Sequence, residues 1–470
     1  MRALGEQGDP NALFPEVFPV LQFCAINEPL FPNLERLYLW AAVGGFVPFI
    51  PSFLSPTTTI IDIEFKEQHC PHKAVFASLI TTFPTLCPNL QKIRLWHSVP
   101  RDPVIVAAVS QFLLTTNRDA LRLFHVSSPL TEEARQTIYK LPDLCELWTV
   151  VEGSTSLPTT VLPNLTDMHI TYDHDHGWLQ GLRGATLGRL NSVSFLAISK
   201  PGDFLEEFQN VALTTSTQHT LSTFSFYTSH SWNPNYSSLL VFKQLTELDI
   251  EFSCHDGCSS SVDDDVVIGL TQAMPKLKIL RLGGMPCRIP TGVTFKGLIT
   301  LACNCPQLSE LCIHFRANSL VEATAGGEPP SPSERSAALL QAGCALTDLY
   351  VSEIPIPGGS ALAAALTLLR VFSRILDIHH VNPEWEAVED EIERLKQTGV
   401  DVRQTGKTRL LPPMILMSDA LKLTLPTIRL SGWGLRAFLE NPQILVYTYL
   451  MDIGQGQGFG SDLPFLSTIQ

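Results

Sequence analysis

Two stretches of this chain, "FPNLERLYLW" at 31–40 and "CPNLQKIRLW" at 87–96, share the form P-N-L-x-x-ψ-x-L-W, where ψ is apolar. Its core, ψ-x-x-ψ-x-ψ, recurs as Leu34/Leu37/Leu39, Ile60/Ile63/Phe65, Leu90/Ile93/Leu95 and Leu121/Phe124/Val126. It continues as Leu165/Met168/Ile170, Val193/Leu196/Ile198, Leu221/Phe224/Phe226 and Leu245/Leu248/Ile250, then Leu277/Leu280/Leu282, Leu308/Leu311/Ile313 and Leu346/Leu349/Val351. Two degraded copies have Leu144/Leu147 with Thr149 third, and Leu376/Ile378 with Ser373 first. The 13 copies run from position 34 to 373, a mean period of (373−34)/12, about 28 residues. One such triplet arises by chance; a quasi-regular run along most of a chain does not.

A ψ-x-ψ segment is a short strand with one apolar face. A unit of this size cannot bury that face alone, so neighbours must stack and share one continuous core. The period lies in the range of leucine-rich repeats. The fold class expected is therefore α/β, a leucine-rich-repeat solenoid (horseshoe) with a parallel inner sheet and outer helices. Amphipathic stretches between the copies predict helices at Phe76–Thr82, Pro103–Thr115, Thr131–Lys140, Asp203–Thr214, Val262–Met274, Phe295–Cys303, Ser333–Gln341 and Leu362–Val371. "PEWEAVEDEIERLKQ" at 383–397 predicts one more, with Trp385, Val388, Ile392 and Leu395 on one face, placed to close the solenoid.

Three segments follow: an N-terminal cap or weak first repeat over 1–30 (Phe18/Leu21/Phe23), the solenoid over 31–400, and a C-terminal segment over 401–470 without a period. For the last, a cap, a disordered tail and an incorrectly predicted coding segment all remain open. "ATAGGEPPSPSE" at 323–334 reads as a loop inserted between repeats. The net charge of −14 argues against a nucleic-acid binder, which needs clustered Lys and Arg, and against an anionic membrane surface. The opening residues are polar rather than signal-like, no window is apolar for long enough to span a membrane, and the 11 cysteines are scattered through apolar runs. These features lead us to expect a cytoplasmic or nuclear protein with reduced thiols.

Residues of chemical interest are few. "DHDHGW" at 173–178 offers Asp173, His174, Asp175 and His176, but adjacent side chains splay apart and no distant partner is evident, so it reads as a polar turn. "CHDGC" at 254–258 lacks a second Cys/His pair for zinc, and "TGKT" at 405–408 has Asp401 where a phosphate loop needs glycine. No nucleophile signature occurs. The expectation is no catalytic residue, no metal and no cofactor. The fifth and seventh positions of each copy face the concave side, and these supply a candidate partner-binding set: Tyr38, Trp40, Lys66, Arg94, Trp96, His125, Trp148, His169, Asp249, Glu251 and Arg281. Tyr, Trp and Arg are the residues that protein-binding hot spots use. The competing reading has the tryptophan rings folded over the strand ends into the core.

The series "FPNLERLYLW … CPNLQKIRLW … LPNLTDMHI … FKQLTELDI … MPKLKILRLGG … CPQLSELCI … GCALTDLYVSEI" resembles the leucine-rich-repeat region of fungal F-box proteins, over roughly residues 13–400. In that family an F-box binds the adaptor of an SCF-type (cullin–RING) ubiquitin ligase, and the repeats hold the substrate. The resemblance implies a non-enzymatic substrate receptor with a protein partner on its concave face, and the SCF adaptor and cullin as further partners. The sequence departs from the family ahead of Leu34, where no L-P-x-E-[IL]-L-like helix occurs and "LFPEVFPVLQF" at 13–23 reads as a repeat. The alternatives are a free-standing scaffold or inhibitor without ligase attachment, and an enzyme or metal-dependent module that the repeats recruit to.

Overall fold

Among the described residues fourteen strands lie side by side in chain order, and their pairings are parallel. The computed structural model describes residues 3–6, 29–42, 44–65, 72–97, 101–152, 162–173, 177–183, 185–252, 262–283, 292–322, 344–351, 356, 360–380 and 382–398. The expected weak repeat at Phe18/Leu21/Phe23, the loop at 323–334, the helix Ser333–Gln341 and the segment 401–470 lie outside them. The strands are β1 (Ala3–Glu6), β2 (Arg36–Ala42), β3 (Ile60–Phe65), β4 (Lys92–Trp96), β5 (Leu123–Pro129), β6 (Glu146–Glu152) and β7 (Asp167–Asp173). They continue as β8 (Ser192–Ala197), β9 (Thr223–Thr228), β10 (Glu247–Phe252), β11 (Ile279–Leu282), β12 (Glu310–Ile313), β13 (Asp348–Tyr350) and β14 (Asp377–His379). β1 comes from the opening residues, ahead of the weak repeat expected at Phe18/Leu21/Phe23.

A parallel strand must be re-entered from the same end, so each return crosses the other side of the sheet. Helices or 3-10 turns make most of these returns. They are α1 (Lys73–Leu86), α2 (Pro103–Thr115), α3 (Glu132–Ile138), α4 (Phe204–Thr215), α5 (Asp264–Ala273), α6 (Phe295–Asn304), α7 (Ala317–Glu322), α8 (Ala361–Val371) and α9 (Pro383–Gln397). The starts follow local chemistry. The side chains of Asp102, Thr131, Asp263, Thr294 and Asn382 each accept a backbone N–H of the first turn, and Pro103 and Pro383 stand at the first helical position. α1 runs past the expected Thr82 and carries Pro84 in its last turn. Where the helix is replaced, 3-10 turns at Gly44–Ser52, Gly177–Leu182 and Tyr236–Leu239 serve. The result is an α/β leucine-rich-repeat solenoid.

One hydrophobic core runs between sheet and helices. The first position of each copy, just before its strand, is the most deeply buried row. Leu34, Leu121, Leu144, Leu165, Leu221, Leu245, Leu277, Leu308 and Leu346 have no exposed surface. That row corrects three assignments. The second copy is Thr58/Ile61/Ile63, not Ile60/Ile63/Phe65. The seventh strand of the series begins at Leu190, with Val193 and Phe195 in the core, and not at Val193. The last begins at Ile375, with Ile378 in the core, while Leu376 is 63% exposed. Thr58 is polar yet wholly buried because its hydroxyl donates to the Leu34 carbonyl (2.9 Å) and accepts the Ser55 N–H (3.2 Å).

The residue after each first position forms a second ladder. The carbonyls of Glu35, Thr59, Gln91, Arg122 and Cys145 each accept two N–H groups from the next repeat, and the series continues to Thr347. In the P-N-L motif the asparagine stitches turns together: Asn89 donates to the Pro56 carbonyl and Asn164 to that of Pro142. In the middle of the solenoid the core is aromatic, with Phe208 against Phe195, Phe224 and Phe242 at 5.2, 5.3 and 5.5 Å between ring centroids. At its far end Trp385 of α9 is buried edge-on against Phe315 at 5.8 Å.

Candidate functional site

Strand alternation decides which side chains leave the core. In β4, Ile93 and Leu95 are buried while Lys92, Arg94 and Trp96 point the other way. Register carries the fifth position across the sheet as Tyr38, Asp62, Arg94, His125, Trp148, His169, Ser194, Ser225, Asp249, Arg281, Cys312, Tyr350 and His379. With the seventh-position residues Trp96 and Glu251 beside it, this concave row brings Arg94, Trp96, His125, Trp148 and His169 into one patch and Asp249, Glu251 and Arg281 into another.

The first patch spans β3 to β7 and is aromatic. Trp96 and Trp148 meet edge to face at 4.4 Å, Trp148 lies over His169 at 3.5 Å, and His125 touches Trp148 at 5.7 Å. Both tryptophans are half-buried, packed edge to face along the sheet rather than folded into the core. Arg94 donates from Nε to Nδ1 of His125 (3.3 Å) and from Nη1 to Asp62 (3.3 Å), and Nε2 of His125 lies 3.6 Å from Glu146. Burial, with Arg94 and Lys92 adding repulsion, lowers the His125 pKa to about 3, and burial also holds His169 well below its usual range. Both imidazoles are therefore neutral at physiological pH. Nε2 of His169 is buried without a hydrogen-bond partner.

The second patch spans β9 to β12 and is acidic. Asp249 is 1% exposed and accepts through one oxygen, Oδ2, from Tyr227 (2.8 Å) and from Arg281 (3.0 Å). Its Oδ1 is buried with no partner. Arg281 also holds Glu310, with Nε at 2.7 Å from Oε1. Burial pushes Asp249, Glu247 and Glu251 up, Glu251 to about 8, with the Asp249 charge the next cause for Glu247 and Glu251. Burial alone would lower Arg281, but Asp249 and Glu310 outweigh it and keep it charged.

Tyr38 is half-buried in the same row, two strands before Arg94. Trp40 lies in β2, but its side chain is outside the described residues, as is Lys66. Asp62 was missed because of the two-residue slip in the second copy. Glu247 and Glu310 were missed because they stand at the third position, which strand alternation also turns to the concave side; Tyr227, at a seventh position, was simply not singled out. Asp173 of "DHDHGW" is engaged by Arg101, which also pairs with Glu152 at 3.1 Å, so it acts as an ion-pair partner. His174, Asp175, His176, the "CHDGC" stretch and "TGKT" lie outside the described residues. Among the described residues no group of three or more His, Cys, Asp or Glu could hold a metal ion, and no helix is long and apolar enough to cross a membrane.

Compared with known proteins, the chain matches no protein-family model and none of the curated proteins.

Proposed function

We propose that this chain is a non-catalytic protein-interaction solenoid that receives a protein partner on its concave face. The observation that carries the reading is the Arg94–Trp96–Trp148–His169 cluster. Half-buried tryptophans packed edge to face and flanked by a guanidinium, on the face away from the core, offer the anchors that dominate protein interfaces. The resemblance of the repeats to fungal F-box proteins supports a role as the substrate-recognition part of an SCF-type ubiquitin ligase, reached through its adaptor and cullin. Buried thiols outside any disulfide at Cys87, Cys303, Cys305, Cys312 and Cys344, with Cys87 and Cys305 pushed up to about 12 by burial, favour a reducing compartment, cytoplasm or nucleus.

Affinity purification of the full chain from cell lysate, followed by mass spectrometry, tests this against a Trp96→Ala/Trp148→Ala variant. Adaptor and cullin among the recovered proteins support the ligase reading. Other proteins, lost with the variant, support a free-standing scaffold or inhibitor. A variant that keeps every partner overturns the concave-face assignment.

A further inference from the structure

The acidic patch on β9–β12 is built differently from the aromatic one. Among the described residues four carboxylates, Glu247, Asp249, Glu251 and Glu310, face one guanidinium, that of Arg281. Arg281 is already engaged, bridging Asp249 and Glu310 from the strand between theirs. Two acceptors are left over. Oδ1 of Asp249 is buried with no hydrogen-bond partner. Glu251, two residues further along the same face of β10, makes no hydrogen bond or ion pair among the described residues.

A buried carboxylate oxygen without a donor is costly, and the cost is relieved when a donor arrives. Side chains two apart on one strand stand about 7 Å apart, a gap that a planar guanidinium with five N–H donors can bridge. A metal ion fits less well, since among the described residues no three acidic, histidine or cysteine side chains are placed to hold one.

We propose that Asp249 and Glu251 form a receptor site for an arginine side chain of a protein partner, placed beside the resident Arg281. This deepens the partner-binding reading of the concave face and rests on it. The occupant is a basic segment of the partner, chosen by charge complementarity. Binding is linked to protons. Tyr227 on β9, Glu247 and Asp249 on β10, Arg281 on β11, and Glu310 and Cys312 on β12 face Glu251; burial first, then the Asp249 and Glu310 charges against the opposing pull of Arg281, push its pKa up to about 8. An arriving guanidinium favours the ionised form, so its affinity rises with pH up to that value and levels off above it.

The test is fluorescence anisotropy of the full chain with a labelled tetra-arginine peptide and its tetra-citrulline counterpart, which has the same shape without charge. Arginine binding that exceeds citrulline binding and increases from about pH 6 to pH 8 is expected. Glu251→Gln should weaken it about tenfold or more and flatten the pH dependence. Asp249→Asn should weaken it too, but Glu251→Gln carries the test because it leaves the buried Arg281 clamp intact. Glu386→Gln, on the exposed face of α9, removes the same formal charge and should change nothing. No arginine binding, or equal behaviour of Glu251→Gln and Glu386→Gln, overturns the proposal. Trp96→Ala/Trp148→Ala should bind the peptide as the parent does, so a failure of the aromatic-patch reading shows only in the lysate experiment and a failure here shows only in this titration.

Discussion

Two concave-face groups are held away from their usual protonation range in opposite senses, and this makes stability pH-dependent. Burial, with Arg94 and Lys92, lowers His125 to about 3, so below about 6.5 the unfolded chain takes up a proton that the folded chain refuses. The stability that the neutral imidazole permits is present above that pH and is lost as pH falls. Chemical denaturation of His125→Asn at pH 7 and pH 5 should show about 2 kcal/mol less acid sensitivity than the parent. Glu251 acts the other way. Its folded value of about 8 lies above that of the unfolded chain, so stability declines as pH rises through that window. Glu251→Gln should raise the melting temperature at pH 9 and leave it nearly unchanged at pH 5. A melting temperature that falls at pH 9 would mean that the ionised Glu251 is stabilised by its surroundings.

At the level of the single repeat, how much was legible depended on which atoms carry the signal. Copies whose first position is leucine were read in register, because a 21- to 38-residue search needs only an apolar residue before an apolar-alternating strand. Thr58 broke the search. Its role is carried by a hydroxyl that bonds Leu34 and Ser55, and nothing in an apolar pattern registers a hydrogen bond. Val193 and Leu376 misled it in the opposite way, since Leu196 and Leu376 are apolar residues that lie outside the core. Helix bounds were readable where the apolar spacing is clear: the expected Pro103–Thr115 is α2 to the residue, with Asp102 capping its start, whereas α1 begins at Lys73, three residues before the expected Phe76. The tryptophan cluster was visible as a row of types, but its stacking depends on register between strands 20 to 30 residues apart. Thr58→Val, which keeps the shape and removes the hydroxyl, should cost about 1–3 kcal/mol by leaving the Ser55 N–H without its acceptor, measured by urea denaturation. Trp385→Ala empties the contact between α9 and Phe315 and should cost about 3–5 kcal/mol.

In the whole solenoid each repeat touches mainly its neighbours, so stability is a chain of interfaces and the weakest link decides where it opens. The phenylalanine cluster around Phe208 joins the repeats of β8, β9 and β10. Phe208→Ala should uncouple the two arms: hydrogen exchange read by mass spectrometry should give different opening free energies for strands β2–β7 and β10–β14, where the parent gives one. Equal values in the variant would mean that the backbone ladders alone keep the arms cooperative. Those ladders also fix a length. Trp148 on β6 and Asp249 on β10 are four strand spacings apart, about 19 Å at the usual sheet repeat. An extended peptide covers that distance with about six residues. The sheet is thus a ruler, and a linear sequence with an aromatic or aliphatic anchor and an arginine about six positions apart is the pattern to look for in any protein recovered with this chain.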